Sequence, residues 1–156
     1  MTTDPKHGFT LIEVLIVVMI LGVLAAIVIP AFGNNTDTSA QKAFILSIRQ
    51  IADIAAYHYE RTGEYFEDSF SGQSPDGLDA YLPAGVWTGS TPIGGVWDFE
   101  RDSFGVRSAF GVRFLDVTPQ SDDYMLQIDT DFDDGNLETG YFRKLDTDRF
   151  YYIVAQ

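Results

Sequence analysis

The feature that most constrains this chain is an apolar run of 21 residues, Phe9 to Ile29, close to its beginning. Eighteen of the 21 are hydrophobic, and no charge occurs in the 16 residues from Val14 to Ile29. A helix needs about 20 apolar residues to cross the hydrocarbon core of a bilayer. The run therefore predicts a membrane-spanning helix over 9–29, which any fold of this chain must accommodate.

The charges on either side of the run predict its orientation. Lys6 is the only Lys or Arg before it, and the next one, Lys42, lies 12 residues beyond Pro30. Positive charge is retained on the cytoplasmic side of a membrane helix. We therefore expect a cytoplasmic N-terminus, with the polar remainder of the chain outside the cytoplasm.

That remainder has a composition that excludes several classes of function. The whole chain has 23 acidic and 10 basic residues, a net charge of −13, which argues against nucleic-acid binding. It has no cysteine, which excludes disulfides, thiol catalysis and thiolate metal centres. His58 is the single histidine after the run, and no phosphate-binding loop or nucleophile elbow is present. We do not expect an enzyme.

One carboxylate, Glu13, lies inside the apolar run. A charge at mid-bilayer costs about 3 kcal/mol, so its presence there indicates a function beyond anchoring. An ordinary signal peptide is the first alternative, because Ala31-Phe32-Gly33 is a weak small-x-small cleavage site. The run, however, exceeds the ~7–15 residues of a signal-peptide core.

The residues around Gly8 resemble a known processing motif. The stretch Lys6–Leu15, followed by apolar residues to Pro30, is similar to the N-terminal motif of type IV prepilins and of type II secretion pseudopilins. The resemblance implies that a prepilin peptidase cuts between Gly8 and Phe9, that Phe9 is N-methylated, and that the apolar helix is retained. It also implies that Glu13 pairs with the Phe9 amine of a neighbouring subunit, which would offset the cost of the buried charge.

Pro30 interrupts an otherwise helical pattern and is followed by Gly33 and two asparagines, which are poor helix formers. We expect the helix to kink or loosen here. In filaments of the family that this chain resembles, the equivalent region can be locally unfolded. Residues 30–36 are therefore predicted to lose helical order when the subunit is packed.

Beyond Asp37 the pattern becomes that of an amphipathic helix. Apolar residues recur at spacings of 4, 3, 4 and 4, which places them on one face: Phe44, Ile48, Ile51, Ala55 and Tyr59. Together with the apolar run, this predicts a helix over Phe9–Thr62, which is 54 residues long and spans about 80 Å.

The remaining residues predict a small antiparallel sheet. After a loop region at Glu64–Pro83 that includes a short helix, residues rich in Val, Ile and aromatics predict five strands. These are Gly95–Glu100, Ala109–Val117, Tyr124–Asp131, Tyr141–Leu145 and Arg149–Val154. We expect a meander whose first turn is at Asp102-Ser103. One face of it should cover the apolar stripe of the helix, giving an α+β, pilin-like fold.

An acidic stretch near the end of the sequence could bind a metal. Asp129, Asp131, Asp133 and Asp134 offer the carboxylate oxygens that calcium prefers, and major pseudopilins of the resembled family can bind calcium in their C-terminal loops. The spacing departs from an EF-hand loop. A strand ending at Asp131, followed by a solvated turn at Asp134-Gly135, is the favoured alternative.

These observations predict a leader peptide (1–8), a transmembrane and polymerisation helix (9–29), its continuation (30–62) and a globular domain (63–156). The expected function is a structural subunit of a type IV pilus-like or type II secretion pseudopilus filament. Its partners would be copies of itself or other pilin-like subunits, the prepilin peptidase, and an assembly platform and ATPase. It would be stored in the inner membrane and then assembled into a periplasmic or extracellular filament. The alternative is an anchored or secreted binding module that forms no fibre.

Overall fold

The computed structural model describes residues 10–115 and 117–156, and the side chains of 24–36 lie outside that description. Two helices and four strands follow one another in the order α1, β1, β2, α2, β3, β4. Their bounds are α1 Leu11–Thr62, β1 Val96–Ser103, β2 Val106–Arg113, α2 Asp122–Phe132, β3 Phe142–Asp146 and β4 Arg149–Ala155. A short 3₁₀ helix at Leu78–Ala80 lies in the predicted loop region. The predicted α+β class is confirmed.

Helix α1 is 52 residues long. It begins after Thr10 and ends before Gly63, whose amide donates to the Tyr59 carbonyl at 2.8 Å. The helix is assigned continuously across Pro30. The loosening of residues 30–36 concerns the packed subunit, so it stays a prediction.

The chain divides into two compact units, Met1–Thr38 and Ser39–Gln156. In the first unit, every large apolar side chain from Leu11 to Val23 is exposed. No helix among the described residues is long and apolar enough to cross a membrane. The crossing predicted over 9–29 includes Phe9 and the side chains of 24–29, which lie outside the described part of the chain.

The core of the second unit forms between the 39–62 segment of α1 and one face of the sheet. The Phe44 ring stacks on Trp97 of β1, with 5.5 Å between ring centroids, and meets Phe142 of β3 edge-on at 6.2 Å. Most of the predicted stripe is buried, namely Phe44, Ile48, Ile51 and Ala55. The prediction was wrong at Tyr59, which is 38% exposed and stacks on Tyr65 instead of joining the core.

The sheet is antiparallel, but the predicted meander was wrong because the strand order is β1-β2-β4-β3. Strand β4 lies between β2 and β3, which places β3 at the edge. The burial pattern gives the reason. Consecutive residues Phe150 and Tyr151 of β4 are both buried, so this strand needs cover on both faces, whereas β3 is mostly half-buried.

The strand predicted at Tyr124–Asp131 is helix α2. The Ser121 hydroxyl accepts a hydrogen bond from the Tyr124 amide at 3.2 Å and caps the helix, and two aspartates occupy its first turn. Met125 and Ile128, three residues apart, are buried against the core. Helical spacing and an N-cap therefore prevail over the β-forming residue types that suggested a strand.

Two strand boundaries also differ from those predicted. Strand β1 extends to Ser103 and the turn that follows is formed by 104–105, instead of Asp102-Ser103. Strand β2 begins at Val106 and ends at Arg113, so residues 114, 115 and 117 of the predicted strand lie outside it. Pairing of Ser103 with Val106 fixes this hairpin, and it moves the turn by two residues.

Candidate functional site

The first turn of α1 holds the predicted assembly residue. One carboxylate oxygen of Glu13, Oε2, accepts hydrogen bonds from the Thr10 amide at 2.8 Å and from the Thr10 hydroxyl at 2.7 Å. The Glu13 amide in turn donates to the Thr10 hydroxyl at 3.3 Å. This reciprocal arrangement is a capping box. The predicted processing residues Gly8 and Phe9 lie outside the described residues.

The acidic stretch brings three of its four predicted ligands together. Carboxylate oxygens of Asp129, Asp133 and Asp134 lie within 4.8 Å of one another. Asp131 does not join them, because it lies on an exposed part of α2 and accepts a hydrogen bond from Gln127 at 3.2 Å. The sequence predicted all four as ligands because it indicated a strand here, whereas the structure has a helix that directs Asp131 away from the other three.

Asp133 connects the end of α2 to the beginning of β3. Its Oδ2 accepts hydrogen bonds from the amides of Tyr141 and Phe142, the latter at 2.9 Å. Gly140 is required for this contact, since a Cβ there would lie 2.1 Å from the same oxygen. Asp133 thus joins the two ends of the loop between α2 and β3 beside the acidic cluster.

Asp134 organises the loop between these ends. Its Oδ1 accepts from the Asn136 amide at 3.0 Å, and its Oδ2 accepts from the Thr139 hydroxyl at 2.7 Å. Each of these bonds leaves lone pairs on the carboxylate free. Asp134 can therefore keep its loop contacts and still serve as a ligand.

Asp129 is the incomplete member of the cluster. Its side chain is buried, and neither carboxylate oxygen has a hydrogen-bond partner. Burial raises its pKa to about 6. The amides of Asn136 and Gly135, which do not meet normal hydrogen-bond geometry with it, oppose this change, and the negative charges of Asp134 and Asp133 reinforce it. A buried carboxylate without a partner is costly. A hard cation would satisfy it with the oxygen ligands that such ions prefer, so the residues present fit calcium.

A second charged cluster, which sequence reasoning missed, lies on the sheet face opposite α1. Trp97 and Phe99 of β1 enter the core, so Asp98 and Glu100 alternate to the other face. Both are buried, and Arg149 of β4 contacts each of them, with its Nη1 3.3 Å from Asp98 Oδ2. We name these three residues and Tyr151 the outer network.

Tyr151 joins the outer network across an intervening strand. Asp98 pairs in register with Gly111 of β2, and Gly111 pairs with Tyr151 of β4. A Cβ at Gly111 would lie 2.9 Å from Cδ1 of the Tyr151 ring and 2.2 Å from the Phe150 carbonyl oxygen. The glycine thus allows the ring to lie across β2, where the Tyr151 hydroxyl donates to Asp98 Oδ2.

Burial dominates the electrostatics of this network. It raises the pKa of Asp98, although hydrogen bonds from Tyr151 and Ser71 and the charge of Arg149 oppose the change. Burial and the neighbouring Asp98 also raise the pKa of Tyr151. Acids on the outward face of a strand ordinarily indicate a solvated surface, so nothing in the sequence predicts that Arg149 returns to neutralise them.

His58, the single histidine after the apolar run, lies near the end of α1. Its ring stacks on Phe66 with 3.9 Å between centroids and meets Tyr81 edge-on at 6.1 Å. These contacts place it in the aromatic packing at the end of α1, where its role is to pack.

Comparisons with known proteins agree with the N-terminal motif. Residues 4–29 match the model of the prokaryotic N-terminal methylation motif. The chain is 31% identical over 100 residues to the type II secretion system core protein G of Escherichia coli (strain K12), covering 54% of this chain and 69% of that protein. It is 35% identical over 78 residues to the core protein G of Aeromonas hydrophila, covering 49% of this chain and 50% of that protein. No solved structure matches the chain.

Proposed function

The chain belongs to the family of the type II secretion system core protein G, and on that premise we propose that it is a pseudopilin that polymerises through α1 into a pseudopilus. Its role is structural. It would assemble with copies of itself or with other pilin-like subunits, driven by an assembly platform and ATPase. The alternative of a binding module that forms no fibre is tested below.

The exposed apolar surface of α1 is the observation that supports this proposal most strongly. Eleven large apolar side chains between Leu11 and Val23 are each 51–85% exposed. A contiguous apolar surface of this kind marks a site that is covered by a membrane or by another protein. Lipid would cover it while the subunit is stored in the inner membrane as a single-pass protein, and helices of neighbouring subunits would cover it in the fibre.

The match of residues 4–29 to the methylation motif supports a processing step. We propose that a prepilin peptidase hydrolyses the Gly8–Phe9 bond on the cytoplasmic side and that the new Phe9 amine is then methylated. The apolar helix remains on the protein. Residues 30–36, around Pro30, loosen when the subunit enters the fibre.

Glu13 would act in register selection. In the single chain its carboxylate is satisfied by the amide and hydroxyl of Thr10, and it is exposed. The oxygens retain lone pairs for a further donor. We propose that the Phe9 amine of a neighbouring subunit supplies this donor. Pairing of the two charges would then favour one register of the packed helices over the others.

A mass spectrum of the N-terminus tests processing, and two substitutions at Glu13 test assembly. We expect a mature chain that begins at methylated Phe9. A start near Asn34 would indicate a secreted domain, and an intact Met1 would indicate a plain anchor. Glu13→Val is expected to leave cleavage largely intact and to abolish fibres.

Glu13→Gln is the matched control, because its amide oxygen can still accept the Thr10 bonds while the charge is removed. Loss of fibres in both variants supports pairing of charges. Fibres in Glu13→Gln but not in Glu13→Val would assign Glu13 to capping alone, and normal fibres in both would contradict an assembly role.

We also propose that Asp129, Asp133 and Asp134 hold calcium as a structural ion. The supporting observation is the buried Asp129 carboxylate, whose two oxygens have no hydrogen-bond partner and lie beside two further carboxylates. The ion would lock the loop between α2 and β3. Thermal melting with calcium and with a chelator tests this, and Asp76→Asn, an exposed acid elsewhere, is the control. Equal melting temperatures in the two conditions would contradict the site.

A further inference from the structure

The sheet face opposite α1 carries an open cavity of about 500 Å³, which we name the outer cavity. Its floor is formed by Asp98, Glu100 and Arg149 of the outer network, and its walls by the loop 68–71 and by Phe104. Ligand pockets in proteins have volumes of about 300–1,000 Å³. The outer cavity therefore has room for one long side chain of a partner together with the residues next to it.

Exposed aromatic rings form the rim of this cavity. Phe70 is 81% exposed and Phe104 is 44% exposed. The turn that presents Phe70 is held at its base. The Phe70 carbonyl accepts from the Gln73 amide at 2.8 Å, and the Gln73 carbonyl accepts from the Trp87 indole at 2.7 Å. These bonds hold the backbone of the turn that carries the ring, and exposed apolar groups beside a polar floor mark contact sites.

The electrostatics of the outer cavity favour a cation. Both of its arginines are already engaged. Arg149 contacts Asp98 and Glu100, while Arg113 donates to Asp148 at 3.2 Å. The exposed Asp68 on the wall adds a further negative charge, so acids outnumber arginines among the lining residues. An anionic guest would be repelled, and a cationic one would be attracted.

The floor itself shows how a guanidinium is held here. The guanidinium carbon of Arg149 lies 4.7 Å from the centroid of the Phe104 ring while its Nη1 faces the carboxylates below. An aromatic face on one side and carboxylates on the other is a cation-binding combination. The wall of the cavity likewise carries an aromatic residue, Phe70, and a carboxylate, Asp68.

We propose that the outer cavity binds one basic side chain of a partner protein, with arginine favoured over lysine, its guanidinium stacked on Phe70 and paired with Asp68. A planar guanidinium both stacks on a ring and pairs with a carboxylate, which explains the preference. The partner is a protein that is not a fibre subunit. This last point rests on the proposed function, because in a fibre packed through α1 the opposite sheet face stays outside.

A titration followed by nuclear magnetic resonance tests binding on the full chain in detergent micelles. The probe is the peptide acetyl-Gly-Arg-Gly-amide, and the matched control is the same peptide with citrulline, which has the shape of arginine without its charge. We expect saturable shifts of the amides of residues 68–71 and 104 with the arginine peptide. The citrulline peptide is expected to bind about tenfold more weakly.

Two substitutions of exposed residues locate the site without disturbing the core. Phe70→Ala and Asp68→Asn should each weaken binding about two- to fivefold, while Asp76→Asn should leave it unchanged. Shifts that are scattered over the acidic surface, an affinity that is unchanged in Phe70→Ala, or equal affinities for the arginine and citrulline peptides would overturn the proposal.

Fibre assembly by the same variants separates this proposal from the function on which it partly rests. Phe70→Ala and Asp68→Asn are expected to assemble normally, and this result supports a partner outside the fibre. Loss of fibres in either variant would make the outer cavity a subunit interface and overturn the assignment of the partner. Failure of the wild-type chain to form fibres would contradict the proposed function, while the titration would still report on the cavity.

Discussion

Two segments of the same helix use apolar side chains in opposite ways. Between Leu11 and Val23 all the large apolar residues are exposed. Between Phe44 and Ala55 the apolar stripe is buried against the sheet of its own chain. Among the described residues, the first segment exposes its apolar side chains and the second buries them. Under the function proposed above, the beginning of α1 serves contacts with lipid or other subunits, and the 39–62 segment serves folding.

The largest expected difference is in stability on truncation to alanine. Phe44→Ala removes a ring that is fully buried and stacked on Trp97, so it should lower the free energy of unfolding by about 3–5 kcal/mol. Leu15→Ala, at an exposed site, should change it by less than about 0.5 kcal/mol. Chemical denaturation of both variants in detergent measures this. Similar losses of unfolding free energy in both variants would contradict the difference between the two segments of α1.

The stability of the second unit is expected to depend on pH through Asp129 of the acidic loop. The pKa of Asp129 is about 6 in the folded chain, against about 3.9 when unfolded. The folded state therefore binds the proton more tightly, and in chelator this group makes stability fall as pH rises from about 4 through about 6, by up to about 3 kcal/mol. Calcium should reverse the trend, since it favours the carboxylate.

Comparing the wild type with Asp129→Asn isolates this contribution from that of other acids. The difference in unfolding free energy between the two proteins, measured in chelator at pH 4 and pH 7, should change in favour of the variant at the higher pH. A difference that is independent of pH would show that Asp129 is solvated in the folded chain.

A smaller effect tests helix α2, which replaced a predicted strand. Ser121→Ala removes the side-chain acceptor of the Tyr124 amide and should destabilise the second unit by about 1 kcal/mol. Ser121→Asp should retain the cap and lose little. If the alanine variant is as stable as the wild type, the cap does not contribute to the stability of the second unit.

The sequence allowed the long helix to be predicted because its signals are local. The end at Thr62 and the stripe from Phe44 follow from a stop signal and from helical spacing. The strand order was wrong because it depends on which strand is covered on both faces, which is a tertiary property. Residue types at Tyr124–Asp131 favoured a strand, while the cap that determines α2 is a single serine.

The candidate sites likewise divide into those with a local sequence signal and one that depends on tertiary structure. Glu13 and the acidic stretch were identified from sequence, since a charge in an apolar run and a cluster of aspartates are visible without a structure. The outer network was missed, because Arg149 and Asp98 are 51 residues apart and meet only through β4's place in the sheet. Asp131 was included among the metal ligands because a helix was not expected there.

The most direct test of the central claim, that residues 11–23 are covered by other subunits in a fibre, uses the absence of cysteine from the chain. A single Val17→Cys variant would be assembled, its fibres purified away from membrane, and the thiol reacted with a polar maleimide, with Asp76→Cys as the exposed reference. We expect the maleimide to label Asp76→Cys in intact fibres and to label Val17→Cys only after the fibres are dissociated. Equal labelling of both positions in intact fibres would contradict the claim.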